Sequence, residues 1–371
     1  MTQATLPPPV ILTPGDPAPS FTQRSATNPR YAIDTAAGRY LVLCFFHSLD
    51  VPQAQEAVAA ALSRPDVFDD THASFFGISS DPQDEARLSN QIPGRRFIWD
   101  SDLTASRLYG AAQGDRRSPL WVVTDPTMRV LKVVPFQKEG SQAAEVIGYV
   151  ASLPPPARFA GPELQAPILY LPNVFEPDLC RHLIGLYDAQ GGEESGFMRE
   201  VDGKTIGMKD RSHKSRRDIT LNDPDLIAAL QARFVRRVVP QIAKAHQFHV
   251  TRMERYIVSC YDAAEGGHFA PHRDNTTTGT AHRRFAVSIN LNEDFEGGEV
   301  SFPEYGPRSF KAPPGGAVVF SCSLLHRVST VTRGRRYAFL PFLYDDAAAK
   351  IRQANLHALD AAEAATKAQD Q

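Results

Sequence analysis

Four residues in the last third of the chain combine types and spacing that could do chemistry: His272, Asp274, His326 and Arg336. Two imidazoles and one carboxylate make a three-ligand face for a divalent iron, leaving positions open for a chelating cosubstrate and dioxygen. A nearby Arg adds a rigid cationic fork that can hold a second carboxylate in the same pocket. His-x-Asp alone is a frequent chance triplet, and a single strand histidine is more often packed than ligating. The setting of these four separates them from that background. Gly267 to Asp274 reads as extended, so alternation turns His272 and Asp274 to one side. His326 follows the apolar run Ala317-Val318-Val319-Phe320, and Arg336 opens Arg336-Tyr337-Ala338-Phe339-Leu340. Two adjacent strands would then carry the second His and the Arg to the first pair. A donor set without thiolate suits ferrous iron better than structural zinc.

Around these residues the chain resembles the prolyl 4-hydroxylase-like branch of the iron and 2-oxoglutarate oxygenases. The resemblance runs through Arg255–Tyr261, His268–Asn275, Phe285–Asn292, Phe295–Val300, Pro313–Phe320 and Val331–Arg336, and spans residues 165–345. It implies a double-stranded β-helix, a jelly-roll of two sheets with the metal between them. It also implies Fe(II) on His272, Asp274 and His326, and the distal carboxylate of 2-oxoglutarate on Arg336. Arg335 competes for that role; alternation turns only one of the two inward, and the family's spacing favours Arg336. Tyr261 matches a position where family members place a tyrosine near the cosubstrate. Asn290 falls where some relatives have a second tyrosine that helps hold it; otherwise it is a strand residue among polar neighbours. The implied reaction hydroxylates a C–H bond, consumes O2 and 2-oxoglutarate, and releases succinate and CO2, with ascorbate as a candidate reductant. A protein or peptide is the expected substrate, a peptidyl proline by analogy. Asp274 argues against a halogenase, which lacks that carboxylate.

The neighbouring polar residues carry weaker signals. His268 lies too far along its strand to share one ion with His272, and either lines the substrate mouth or packs. Asn275 to Thr280 reads as a mobile loop at the rim, with His282 after it. Lys209 to Arg217 is locally basic, either a solvated loop or a holder of an acidic substrate. Arg233, Arg236 and Arg237 read as a solvated helix face.

The rest of the chain must position this site. With 371 residues it is long enough for two domains, and a net charge of −2 implies no pull toward nucleic acid or a membrane surface. No run approaches the roughly 18 apolar residues of a membrane span, and Met1 to Pro9 lacks the basic start and apolar core of a signal peptide. Cys44, Cys180, Cys260 and Cys322 are far apart in apolar surroundings, which suggests buried thiols in a reducing, cytoplasmic setting.

The N-terminal part alternates strand-like runs (Tyr40–Phe46, Ser74–Ile78) with helical patterns at 52–62 and 84–90. A hairpin follows, from Ser118–Val123 to Val130–Val134 about Thr124–Thr127, and a closing helix runs from Ser141 to Leu153. This layout resembles the α/β thioredoxin-like peroxiredoxins over residues 10–153, in Gly15–Phe21, Gly77–Asp81, Trp99–Asp102, Tyr109-Gly110 and Arg117-Ser118. That family needs a nucleophilic thiolate at the helix start after the Phe-Phe strand, and residues 50–56 contain no cysteine. The expectation is a redoxin-like domain without peroxidase chemistry, serving as scaffold or substrate-docking module.

The expected organisation is a redoxin-like domain (10–153), a Pro-rich linker (154–163), an oxygenase domain (164–345) and an Ala-rich, partly helical tail (346–371). Within the oxygenase part, a strand is expected at 166–171, a helix opening at Pro177, and a long helix at 223–246. The competing reading from another class is a binding or scaffold protein with a vestigial oxygenase domain; the intact ligand set and Arg336 oppose it.

Overall fold

The computed structural model describes residues 10–201 and 203–359. The chain divides into two compact units: one ends at Gln165 and includes Pro303–Pro307, and the other comprises Ala166–Phe302 and the chain from Arg308 on. Among the described residues, no helix is long and apolar enough to cross a membrane. The expectations for Met1–Pro9 and for the end of the tail beyond residue 359 lie outside the described residues.

The first unit is built on a seven-stranded sheet. Its strand order is Tyr31–Ala32, Thr22–Ser25, Arg95–Trp99, Ala73–Ser79, Tyr40–His47, Leu120–Thr124 and Val130–Pro135. The middle strands run parallel and the last three are antiparallel. Tyr40–His47 is buried along its whole length, as an unbroken apolar run requires. The helix Pro52–Leu62 starts with Pro at its first position and buries Ala54, Ala57, Val58 and Ala61, one helical stripe. The helix Ala143–Ser152 buries Ala143, Val146, Ile147 and Val150 in the same core.

One expectation fails in this unit. The helix read at 84–90 is a short 3-10 turn, Pro82–Ala86, because Asp84 is drawn inward to accept from Leu49 N and Ser79 Oγ. The Pro-rich stretch is docked on the unit: Tyr40 donates to Pro154 O, and Phe159 packs on the core.

The second unit contains two larger antiparallel sheets. The first orders Leu169–Leu171, Ala317–Ser321, Phe285–Asn290, Arg335–Phe339, Ile257–Asp262, Arg217–Thr220 and Glu193–Glu194, with Phe342–Tyr344 and Arg252–Glu254 attached. The second orders Lys214–Ser215, His268–His272, His326–Val328, Val300–Ser301 and Ser309–Phe310. Helices Pro177–Gln190, Pro224–Arg237 and Val239–His246 bury Leu183, Leu230, Phe234 and Ile242 against Val258, Ile289 and Phe339 of the first sheet. The long helix expected at 223–246 is therefore two. Pro240 supplies no N–H and crowds the preceding turn, so the helix breaks at Val238. Arg236 is exposed as expected, but Arg233 and Arg237 are partly buried and both clamp Glu176. The tail begins with a helix, Asp346–Ala354, capped by Asp345.

Candidate metal centre

His268–His272 pairs on one side with Lys214–Ser215 and on the other with His326–Val328. A register shift after Phe269 sets His272 opposite His326, so the two histidines are cross-strand partners. Asp274 lies two residues past His272, and its backbone N–H donates to Cys322 O. Asp274 Oδ1 is 3.6 Å from His272 Nε2 and Oδ2 is 3.3 Å from His326 Nε2. The potential ligand atoms of the three lie within 4.8 Å of one another. Both imidazoles use Nδ1 on a backbone carbonyl, Ala270 O for His272 and Leu324 O for His326. That bond fixes the tautomer and leaves each Nε2 free to ligate.

Charge agrees with this role. Burial, reinforced by the nearby His272, pushes the His326 imidazole down to about 4, so it is neutral at physiological pH. Burial pushes the Asp274 carboxyl up, but His326 and His272 outweigh it and hold it below its ordinary range. A neutral imidazole and an ionised carboxylate are the ligating forms. Phe269 stacks on His272 with ring centroids 3.5 Å apart and restricts that ring.

Arg336 does not sit beside His326 on a neighbouring strand, contrary to expectation. Its strand lies in the other sheet, where Arg336 is paired with Tyr261. The side chain is 1% exposed. Nε donates to Asn290 Oδ1 at 2.9 Å and Nη2 to Ser288 Oγ at 2.6 Å, while Nη1 is buried without a partner among the described residues. An enclosed guanidinium with one uncommitted nitrogen has the chemistry to receive a carboxylate. Gly298, at φ +70, makes room for it: a Cβ there would lie 3.0 Å from Arg336 Cδ. Arg335 points outward and pairs with Asp262. Asn290 is buried, and its Nδ2 donates to Ala312 O. Both ends of its amide are thus engaged by protein, so it holds Arg336 in place. The Arg336 guanidinium lies 5.2 Å from the Tyr261 ring centre.

Several residues that matter here were read differently from sequence. The basic stretch at 209–217 is not solvated throughout: Lys214 and Arg216 are 4% and 6% exposed. They link Arg336 to the triad through contacts. Arg216 Nη1 donates to the Tyr261 hydroxyl at 3.3 Å, and Arg216 Nη2 and Lys214 Nζ both donate to Ser195 Oγ. Lys214 Nζ then sits 5.0 Å over the Phe269 ring that stacks on His272. The signal in sequence was polar alternation at 214, 216 and 218, easily taken for a charged loop. The rim loop is anchored: Thr277 and Thr280 cap each other, Gly279 N donates to Thr205 Oγ1, and Thr278 is held by Glu200. His282 is buried against Glu254, which also pairs with Arg283. His268 bonds to Gly266 O and Ser212 O and is not in the triad.

Residues 256–344 match the family model described as the 2OG-Fe(II) oxygenase superfamily. A PKHD-type hydroxylase of Synechococcus sp. (strain JA-3-3Ab) is 34% identical over 89 residues, 22% of this chain and 39% of the relative. The chain thus spans about two fifths of that protein's length. A PKHD-type hydroxylase of Cupriavidus metallidurans is 28% identical over 182 residues, 46% of this chain and 75% of the relative. Among solved structures, a prolyl hydroxylase of Trichoplax adhaerens, in complex with a hypoxia inducible factor peptide fragment, is similar over 51% of this chain and 87% of its own. Its TM-score is 0.37 and its identity 14%. The peroxidoxin BcpB of Mycobacterium tuberculosis is similar over 38% of this chain and 96% of its own, with TM-score 0.33 and 20% identity.

Proposed function

From a chain whose residues 256–344 carry a 2OG-Fe(II) oxygenase domain, we propose an Fe(II)- and 2-oxoglutarate-dependent dioxygenase that hydroxylates a protein or peptide, with a peptidyl proline as the first candidate. The convergence of His272, Asp274 and His326 within 4.8 Å, with both Nδ1 atoms tied to carbonyls, carries this reading. The donor set fits ferrous iron. Two antiparallel sheets, with the triad at one and Arg336 on the other, support a jelly-roll reading of this unit.

Fe(II) bound by the triad would supply the oxidising centre at which O2 and 2-oxoglutarate react, one oxygen atom going to the substrate C–H bond and the other to succinate, with release of CO2. This chain's own residues bind and orient. Arg336 would take the distal carboxylate of 2-oxoglutarate through its uncommitted Nη1, in a buried setting where a charge-assisted pair is strong. Asn290 and Ser288 fix the fork so that little side-chain freedom is lost on binding. Tyr261 lines the same place. Ascorbate would restore iron oxidised in uncoupled cycles. Four buried free thiols agree with a reducing, cytoplasmic setting.

The deciding experiment purifies the chain without oxygen, adds Fe(II) and 2-oxoglutarate, admits O2 and measures succinate. Succinate that depends on iron, 2-oxoglutarate and O2 together is expected. Its absence at every iron and cosubstrate concentration would favour a binding protein with a vestigial oxygenase domain.

A further inference from the structure

We propose that Lys214 and Arg216 form a subsite for a carboxylate of the substrate, so that this oxygenase selects a substrate with a negative group beside the carbon it oxidises. The proposal rests on the oxygenase reading above and names the substrate class for that site.

Lys214, Arg216 and Asp218 alternate along the chain and share one cluster, while Arg217 between them faces away and pairs with the exposed Glu265. Arg255 joins the same group, 3.7 Å from Asp218. Asp218 is the carboxylate bonded to this group; Asp274, which also faces Lys214, belongs to the triad, and Glu254, which also faces Arg255, is clamped by Arg283. Asp218 Oδ2 accepts from Arg216 Nη2 at 2.6 Å, and both arginines draw on that one side chain. The hydrogen-bond partners of Lys214 Nζ are neutral oxygens, Ser195 Oγ and Gly196 O. Burial, and then Arg216, lower the Lys214 ammonium well below its ordinary range against the pull of Asp218 and Asp274. Enclosed cations in excess of anions are costly unless an anion joins them.

Donors for that anion are in place. Arg216 Nε is buried without a partner among the described residues. The Tyr261 hydroxyl accepts from Arg216 Nη1, which leaves its own hydrogen to donate. Lys214 Nζ has a third hydrogen and sits over Phe269, next to His272. In the reading above, the metal and Arg336 would hold the two carboxylates of 2-oxoglutarate, so the anion that would fit here is one carried by the substrate.

The test uses the full chain loaded with Fe(II) and saturated with 2-oxoglutarate without oxygen, after a 2-oxoglutarate titration has established the ternary site. Failure of that first titration would count against the oxygenase reading alone. Calorimetry then compares N-acetyl-proline with N-acetyl-prolinamide, and acetyl-prolyl-aspartate amide with acetyl-prolyl-asparagine amide. Binding at least tenfold tighter for the acid of one pair is expected. The first pair reports a small free acid, and the second an acidic peptide side chain. Lys214→Met and Arg216→Gln should reduce the preference to within twofold, while Arg217→Gln should keep it. No acid preference in either pair, including no binding at all, overturns the proposal, as does a preference that survives both neutral substitutions. Should those variants fail to fold, acetate competition on the unaltered protein decides. Acetate that weakens binding of the acid but not the amide supports the subsite, and equal weakening overturns it.

Discussion

Asp84 and Asp100 in the first unit are fully buried, yet their carboxylates are matched. Asp100 accepts from Ala105 N, Ser106 N, Ser106 Oγ and Gln23 Nε2, and Asp84 from Leu49 N, Ser79 Oγ and Arg87. Among the described residues of that unit, the buried side-chain atoms without a hydrogen-bond partner are neutral: Trp99 Nε1 and Thr124 Oγ1. In the second unit, charged groups are left with open positions, at Arg216 Nε, Asp218 Oδ1 and Arg336 Nη1. A fold that only has to persist closes its buried charges on its own turns. A site that awaits ions and anions carries burial without full satisfaction. This difference supports the proposal that the first unit is a support and the second a place of binding.

The largest effect should come from the triad. His272→Ala, Asp274→Ala and His326→Ala each remove one of three protein ligands. Iron-dependent succinate release should fall by more than the roughly 10–100-fold that loss of a supporting partner costs a metal site. Each variant should keep its circular dichroism spectrum. Full turnover in all three would remove the distinction between the units.

Next in size, Arg336→Ala should raise the KM for 2-oxoglutarate by the equivalent of about 2–5 kcal/mol, as expected for a desolvated carboxylate partner. Arg335→Ala should change it less than twofold, since that side chain is 58% exposed and engaged with Asp262. The reverse ranking, read by steady-state kinetics, would move the strand register by one residue.

Much of this arrangement was legible in sequence for simple reasons. Period-two alternation relates His272 to Asp274 and separates Arg336 from Arg335. Unbroken apolar runs such as Tyr40–Phe46 can only be covered strands. The charged cluster was not legible, because Lys-Ser-Arg-Arg-Asp has no apolar marker, and alternation does not say which face is enclosed. Glu254 lies 28 residues from His282, so that buried pair appears only once strand neighbours are known. Pro240 was a readable helix breaker, outweighed in the reading by the apolar stripe on either side of it.

A smaller effect should appear in the first unit with pH. His47 is 6% exposed, its Nε2 faces Ala111 O at 3.0 Å, and burial lowers it to about 4, only partly offset by that carbonyl. The neutral ring is the folded form. Stability is full above the unfolded value of about 6.5, and falls between there and about 4 as the unfolded chain takes up a proton that the folded ring refuses. The loss should be on the order of 1–3 kcal/mol. Chemical unfolding of the first unit at pH 7, 5.5 and 4.5, with and without His47→Gln, measures it. A His47→Gln profile as steep as that of the unaltered protein would assign the pH dependence to other groups.

The smallest expected effect is none, and it tests the support reading most directly. A peroxidatic site needs an accessible thiolate at the start of the helix that follows the central strand. Here that helix begins at Pro52, residues 50–56 hold no cysteine, and Cys44 is fully buried inside the strand Tyr40–His47. Burial pushes its thiol well above the ordinary range, so almost no thiolate exists at neutral pH, and solvent does not reach the sulfur. Hydrogen peroxide should therefore be consumed at the same rate by the full chain and by Cys44→Ala, with a thiol reductant present. Ellman's reagent should label Cys44 only after denaturant is added. Alanine is the better replacement, since serine would bury an unmatched hydroxyl and confuse loss of fold with loss of chemistry. Rapid thiol-dependent peroxide reduction that disappears in Cys44→Ala would show that the strand opens to solvent, and the first unit would then be a second reactive centre and not a support.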